Sequence, residues 1–372
     1  MTTVADKPIR WAVLGTGAIA RAFAEDLRLL PDATLVAAGS RSPEKGRAFL
    51  DAFGSPGRGK VHGSAEELAR DPEVDVVYVA TPHARHKDDC IACLEGGRAV
   101  LCEKPFAVDA DEARAIADVA RRTGKFCMEA MWMRFHPLIG KVCELVAAGR
   151  IGRVRLFTAD FGYPTSYDPE SRFFNPALGG GGLLDRGVYT ASLAQMLLGQ
   201  PSEVVGRAAM APTGVDEQET ALLTYDSGAQ AVLTSSLRSR LRNEALIVGT
   251  EGTIRVHEPF FAPSRVTLTR HVEPVGPIPE AAGGPGGWKA KLRRSPAARR
   301  LVNDVARPLV RMLKRDSETF VEHVPGGGYQ FEAAEVMRRI RAGERESPIM
   351  TLDDTIAVLE TLDALRRSWA SA

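Results

Sequence analysis

The sequence predicts two domains: an α/β domain on a mostly parallel, doubly wound sheet, then an α+β domain with a large, mostly antiparallel open sheet. Three observations predict it. Residues 1–130 alternate short apolar runs with helical patterns, the rhythm of βαβ units. A glycine turn, Gly15-Thr16-Gly17-Ala18-Ile19-Ala20, joins the first apolar run to the first helical pattern. In residues 131–372 strand-like runs follow one another closely, a spacing that suits antiparallel pairing rather than helical crossovers.

Length and composition agree. A chain of 372 residues exceeds one ordinary core, and 44% hydrophobic with 26% charged residues is a globular balance. The formal net charge of +1 argues against global attraction to nucleic acid or membrane, so the expected partners are small molecules and further copies of the chain. No apolar run reaches the roughly 18 residues of a membrane span. The polar start, Met1 to Arg10, lacks a signal-peptide core, and a cytoplasmic location is expected. Five scattered cysteines fit a reducing compartment better than a disulfide scaffold.

Trp11 to Leu14 read as the first strand. The GxGxxA spacing turns the chain at Gly15, admits a pyrophosphate beside Gly17 and aims a helix N-terminus at its charge. This is a Rossmann dinucleotide site, with Gly15, Thr16, Gly17, Ala18 and Ile19 as cofactor residues. The second strand, Thr34 to Ala38, ends at Gly39-Ser40-Arg41-Ser42, where a site preferring NAD usually carries a carboxylate. Here two hydroxyls and a guanidinium suit a 2′-phosphate. Ser40, Arg41 and Ser42 therefore favour NADP over NAD.

Ser64 and Glu67 form a capping box, and Val74 to Ala80 reads as a strand covered on both faces. Its carboxyl end, Thr81-Pro82-His83-Ala84-Arg85-His86, falls where such sheets line a ligand crevice, so Thr81, Pro82, His83 and His86 are expected beside the nicotinamide. His83, His86, Cys90 and Cys93 would extend over about 15 Å of helix, too far to converge on one metal ion. No metal is expected. The fifth strand, Ala99 to Cys102, runs into Glu103-Lys104-Pro105. Lys104 stands where a cofactor from one domain meets a substrate from the other, which makes it the first catalytic candidate. Asp109 and Glu112 open a helix reaching Arg122, and Lys125 to Met128 is the sixth strand.

The second domain begins with the aromatic and basic stretch Met131 to Pro137. Strands are expected at Val154–Phe161, Glu203–Met210, Thr220–Tyr225, Ala229–Leu237, Ala245–Gly249, Thr253–Val256 and Val266–His271. One sheet face should carry helices, leaving the other for substrate or for a homodimer or homotetramer. The glycine run Gly179 to Gly182 feeds a helix in which Asp185 and Tyr189, four apart, share a face. On pattern alone, Tyr189 reads as a half-buried anchor. Residues 275–317 form a basic segment with prolines and glycines, expected as a solvated insert. Phe331 to Arg341 and Leu352 to Trp369 return to helical periodicity and should pack on the sheet.

Gly15 to Ala20, Glu103-Lys104-Pro105, the run Met128 to Phe135, the stretch Arg172 to Tyr189, Gly249-Thr250-Glu251-Gly252, Gly328 to Glu335 and Glu346-Ser347-Pro348 make a specific combination. On these residues the chain resembles the Gfo/Idh/MocA family of NAD(P)-dependent oxidoreductases, and within it the dihydrodiol and NADP-dependent D-xylose dehydrogenase branch. Most of the family carries histidine at the position of Tyr189, while the branch uses tyrosine. The basic insert departs from the family pattern. The resemblance implies hydride transfer between NADP and a CH–OH/C=O carbon of a sugar, polyol or cyclic diol. In it Tyr189 exchanges the hydroxyl proton, Lys104 lowers the tyrosine's pKa, and Asp185 binds a substrate hydroxyl or holds Lys104. It also places Glu103 and Arg134 among the cofactor residues, and Trp132, Phe161 and Arg172 on the substrate wall. A cofactor-binding sensor of the same fold is the other reading, and retention of both Lys104 and Tyr189 argues against it.

Overall fold

The computed structural model describes residues 7–54, 59–271 and 317–370. Of the basic insert expected at 275–317, all but Ser317 lies outside the described residues.

The first sheet contains β1 (Ile9–Leu14), β2 (Ala33–Gly39), β3 (Lys60–His62), β4 (Val76–Val79), β5 (Ala99–Glu103) and β6 (Cys127–Ala130), connected through α1 (Ala18–Leu27), α2 (Pro43–Phe53), α3 (Ala65–Ala69), α4 (His86–Glu95) and α5 (Ala110–Thr123). All pairs are parallel, in the order β3-β2-β1-β4-β5-β6. That order reverses direction between β1 and β4, which opens a crevice at their carboxyl ends. Strand β4 is shorter than the apolar run suggested, because Val74 closes a turn by donating its N–H to Asp71 O. Val76, Val77, Tyr78 and Val79 are fully buried, as expected of a strand with helices on both faces, and each such valine stabilises by about 1.5–3 kcal/mol. Local signals end the helices as read: Asp109 caps α5 by accepting Glu112 N–H at 2.8 Å, and Gly124 follows it with φ +66°.

The second sheet is built from β7 (Val154–Gly162), β8 (Glu203–Met210), β9 (Asp216–Thr224), β10 (Gln230–Ser236), β11 (Ala245–Gly249), β12 (Gly252–Val256), β13 (Arg265–Arg270) and β14 (Ser317–Val321). Its order is β14-β13-β12-β11-β7-β10-β9-β8, antiparallel except for β7 beside β10. Two strands differ from expectation. β9 starts at Asp216 rather than Thr220, because the β8–β9 hairpin continues past a register shift at Ala209/Met210. Ser317 is not insert but the first residue of edge strand β14.

Around this sheet lie α6 (Pro137–Ala147), α7 (Val188–Leu198) and, beyond α8 (Tyr329–Arg341), which was expected on the sheet but packs on α1 of the first domain and on residues 132–135, α9 (Leu352–Ala370). The last does more than cover the sheet. It lies against β8 and α7 on one side and α5 of the first domain on the other. Asp363 accepts Ala110 N–H at 2.9 Å and Arg366 donates to Val108 O at 2.7 Å, so α9 sutures the two units. The opposite sheet face stays open: Val205, Leu222 and Val232 occupy one cross-strand row and are 45%, 42% and 36% exposed.

Candidate active site

At the end of β1 the chain turns through Gly15, whose φ of +94° lies in the region closed to most side chains. Space forbids one as well, since a Cβ there would stand 2.6 Å from Ala80 O of the neighbouring strand end. Gly17 begins α1 with no side-chain cap, and a Cβ built on it meets nothing within 4 Å. Thr16 is partly buried beside it, Ala18 is exposed and Ile19 half-buried. An uncapped helix start facing open space is a cradle that fits a pyrophosphate.

At the end of β2, Arg41 is exposed. Ser40 and Ser42 are partly committed: Ser40 Oγ accepts Ser42 N–H at 3.3 Å, while Ser42 Oγ caps α2 through Lys45 N–H and donates to Glu44. Of the three residues expected at a 2′-phosphate, Arg41 is therefore the one left to supply charge.

Beyond β4, Thr81 donates to Asp89 at 2.8 Å and Pro82 is exposed. His83 reaches across to the second unit, with Nδ1 3.0 Å from Gly179 O, so that nitrogen carries the proton. Burial pushes its pKa down to about 3. His86 is fully buried between two carbonyls, Pro105 O at 2.8 Å and Thr81 O at 2.9 Å. Burial disfavours its charged form while both carbonyls favour it. His86 thereby ties the Thr81 loop to the Lys104–Pro105 turn, whose peptide is cis.

Glu103 accepts the Tyr78 hydroxyl on one oxygen and Lys104 N–H at 3.0 Å on the other, fully buried at the floor of the site. Its carboxylate is thus spent on β4 and the turn it precedes. Lys104 Nζ donates to Asp185 O at 3.0 Å and approaches Asp185 Oδ1 at 3.5 Å. The same Oδ1 receives Arg172 at 2.8 Å, and Arg172 stacks on Phe173 at 4.0 Å. Burial opposes ionisation of Asp185, but Lys104 and Arg172 outweigh it and hold the carboxyl well below the usual range.

Asp185 does not lie in the expected α-helix. Leu183–Gly187 form a π turn, and α7 begins at Val188. Tyr189 is 5% exposed, and its hydroxyl accepts Trp132 Nε1–H at 2.9 Å. Lys104 Nζ stands 4.8 Å from the centre of the tyrosine ring rather than bonded to its oxygen. Burial, with Tyr329 and Glu103 adding to it, pushes the phenol well above its ordinary value. The resemblance led to the expectation of a phenol lowered by Lys104; here the net shift is upward, and the ammonium faces the ring and Asp185 instead of the hydroxyl.

Trp132 and Phe161 join a wall of rings. Phe161 stacks on Phe261 at 4.5 Å, and Trp132 meets Phe261 at 5.9 Å and Tyr329 at 4.8 Å between centroids. Sequence reasoning missed Phe261 and Tyr329. Two adjacent phenylalanines after Glu258-Pro259, in a connection between short strands, were the available signal for the first. Tyr329 follows three glycines, Gly326 to Gly328, and its N–H is held at 2.9 Å by Asp26 of α1. Arg134, expected among the cofactor residues, is spent on the protein itself. Its buried guanidinium donates to Ser192 Oγ at 2.8 Å and Ile349 O at 3.2 Å and pairs with Asp354, so it braces α7 against α9.

Comparison with known proteins supplies context for this geometry. A family model described as "Oxidoreductase family, NAD-binding Rossmann fold" matches residues 9–131, and one described as "GFO/IDH/MocA C-terminal domain" matches residues 139–255. The trans-1,2-dihydrobenzene-1,2-diol dehydrogenase of Mus musculus is 32% identical over 364 residues, 97% of this chain and 96% of that protein. The same enzyme of Danio rerio is 32% identical over 363 residues, 96% of each. Among solved structures, a 3-ketoreductase from Actinomadura kijaniata in complex with NADP and TDP-benzene matches with a TM-score of 0.77 and 25% identity over 98% of both chains. A levoglucosan dehydrogenase in complex with NADH and levoglucosan shares the fold, with a TM-score of 0.79 and 20% identity over 98% of both.

Proposed function

The chain belongs to the Gfo/Idh/MocA family of oxidoreductases, and from that premise we propose that it moves a hydride between NADP and a CH–OH/C=O carbon of a cyclic diol, sugar or polyol. When bound, the nicotinamide supplies the hydride acceptor or donor. Tyr189 handles the accompanying proton. Burial keeps its hydroxyl protonated, so it can donate to the oxygen of a carbonyl being reduced as negative charge builds there, and in the reverse direction the proton passes from the alcohol to Tyr189. Lys104, anchored by Asp185, sets a positive charge beside that oxygen as negative charge develops on it. Trp132 holds the hydroxyl of Tyr189 in place, and Phe161 and Phe261 offer flat apolar surface to a carbon ring.

The observation that carries this reading is the convergence of Lys104, from the end of β5 in the first domain, on Asp185 and the Tyr189 ring, from the π turn and α7 of the second. NADP is preferred on the strength of Arg41 and the lack of a carboxylate at Gly39-Ser40-Arg41-Ser42; the ketoreductase relative holds NADP and the levoglucosan enzyme NADH. A homo-oligomer joined through the open sheet face accounts for the exposed row Val205, Leu222 and Val232. Among the described residues, no helix is long and apolar enough to cross a membrane.

Fluorescence titration with NADPH and NADH, followed by a turnover screen of cyclic diols, aldoses and inositols, tests the proposal. Cofactor binding with turnover of one such class is expected. Binding without turnover across the whole panel would instead identify a dinucleotide sensor.

A further inference from the structure

Below the π turn that carries Asp185 lie two acids that hydride transfer does not use. Asp216, at the start of β9, is 6% exposed, and Glu219, three residues further on and brought to the same face by the register shift at Ala209/Met210, is 3% exposed. Asp216 Oδ2 accepts Leu183 N–H at 2.6 Å, fixing the first residue of the turn. Glu219 Oε1 accepts the hydroxyl of Ser235, whose oxygen also lies 3.3 Å from Gly182 O. Both carboxyls press on the glycines of the turn. A Cβ on Gly182 would stand 3.1 Å from Glu219 Oε2 and 3.3 Å from Asp216 Oδ2, and one on Gly187 would stand 2.8 Å from Glu219 Oε1. Glycines and acids therefore fit as one set.

Glu219 Oε2 has no hydrogen-bond partner among the described residues although it is buried. As a bare carboxylate oxygen it would be costly there, and two such buried carboxylates against the same glycine strongly disfavour ionising together. Two cations face the pair, Arg186 from the π turn and Arg366 from α9. Arg186 directs its nitrogens to Tyr163 O, Ser236 O and Thr165 Oγ1, and Arg366 directs its own to Val108 O and Asp363. Neither donates a hydrogen bond to Asp216 or Glu219 among the described residues.

We propose that Asp216 and Glu219 share one proton, held on Glu219 Oε2, and that this singly charged pair positions the π turn through which Asp185 holds Lys104. Burial, and the presence of each acid beside the other, raises the Glu219 pKa well above the usual carboxyl range; burial also raises that of Asp216. Removing the shared proton sets two negative charges against the same turn. The turn then loosens, and Asp185 and Lys104 lose their register. Since the native state keeps a proton that the unfolded chain releases at ordinary carboxyl values, stability falls as pH rises from that range toward the raised native value. The pair are positioning residues, and their catalytic consequence rests on the reading of Lys104 and Tyr189 given above.

The test compares wild type with Glu219→Gln and Glu219→Ala, using the full chain. The infrared difference between wild type and Glu219→Gln at neutral pH, without substrate, should contain a protonated-carboxyl stretch that shifts in heavy water. Glutamine retains a donor toward Asp216 and cannot titrate, so Glu219→Gln should keep kcat within about threefold and hold it to higher pH, while Glu219→Ala loses about tenfold or more in kcat with KM little changed. Absence of the carboxyl band, or equal loss of kcat in the glutamine and alanine variants, overturns the proposal. Should alanine prevent folding, Asp216→Asn replaces it and is expected to keep the band and lose the alkaline fall in kcat. The infrared arm needs no turnover, so it decides the shared proton even if the proposed reaction fails.

Discussion

The ammonium of Lys104 faces the ring of Tyr189 at 4.8 Å from its centre, while its hydrogen bonds run to Asp185. A lysine placed this way cannot pull down the phenol's pKa by direct bonding. It can stabilise charge forming on a substrate oxygen that approaches both groups, which is the division of work proposed above, the proton with Tyr189 and the electrostatic work with Lys104.

Lys104→Met and Tyr189→Phe should each lower kcat by about 10²–10⁴-fold, the usual contribution of a proton-transfer or charge-stabilising group. NADPH affinity, measured by fluorescence titration, should stay close to wild type. Near-normal turnover in either variant removes that residue from the mechanism.

Arg41→Ala should weaken NADPH binding by about 10–100-fold, the loss of a charge-assisted contact, and leave NADH binding almost unchanged. Dissociation constants for both cofactors on both proteins check this. An unaltered ratio between them sinks the 2′-phosphate assignment.

His83 is buried with its pKa lowered to about 3, whereas an unfolded histidine titrates near 6.5. Its contribution to stability is complete above that unfolded value and is lost as pH falls from about 6.5 toward 3, because the unfolded chain takes up a proton that the native site refuses. Melting temperatures measured across that window should fall more steeply for wild type than for His83→Asn, which can still donate to Gly179 O. Parallel curves would show that His83 is not held neutral.

Leu222→Glu places a charge at the centre of the exposed row on the open sheet face. If copies of the chain meet through that face, light scattering should show the variant at about half the mass of wild type or less, with NADPH binding intact. A wild-type protein that is already monomeric rules out this surface as a subunit contact.

What the chain's local order could reveal was whatever the backbone and nearest neighbours decide. Gly15 is required by a positive φ and by the strand end beside it, Asp109 and Ser64 by the orphan N–H groups of the helices they cap, and the buried run at β4 by its two covered faces. Those pressures act over a few residues, so the doubly wound sheet, its cofactor turn and the following antiparallel sheet were all legible. Resemblance added Lys104, Asp185 and Tyr189 as a group, but not the geometry among them.

That geometry belonged to the tertiary structure. Lys104 and Asp185 are 81 residues apart, Trp132 and Tyr189 57, and both pairs form only because the second sheet carries a π turn up to the mouth of the first. Arg134 looked like a cofactor residue in a conspicuous motif, yet its partners, Ser192, Ile349 and Asp354, arrive from elements up to α9 and claim its guanidinium. Phe261 and Tyr329 carry no periodic signal that marks a pocket wall. The sequence by itself determined the elements and the cofactor turn, since local sterics and hydrophobic period suffice for those; which side chains share a charge, a proton or a ring face was decided by packing between distant segments, where burial and Coulombic neighbours are set.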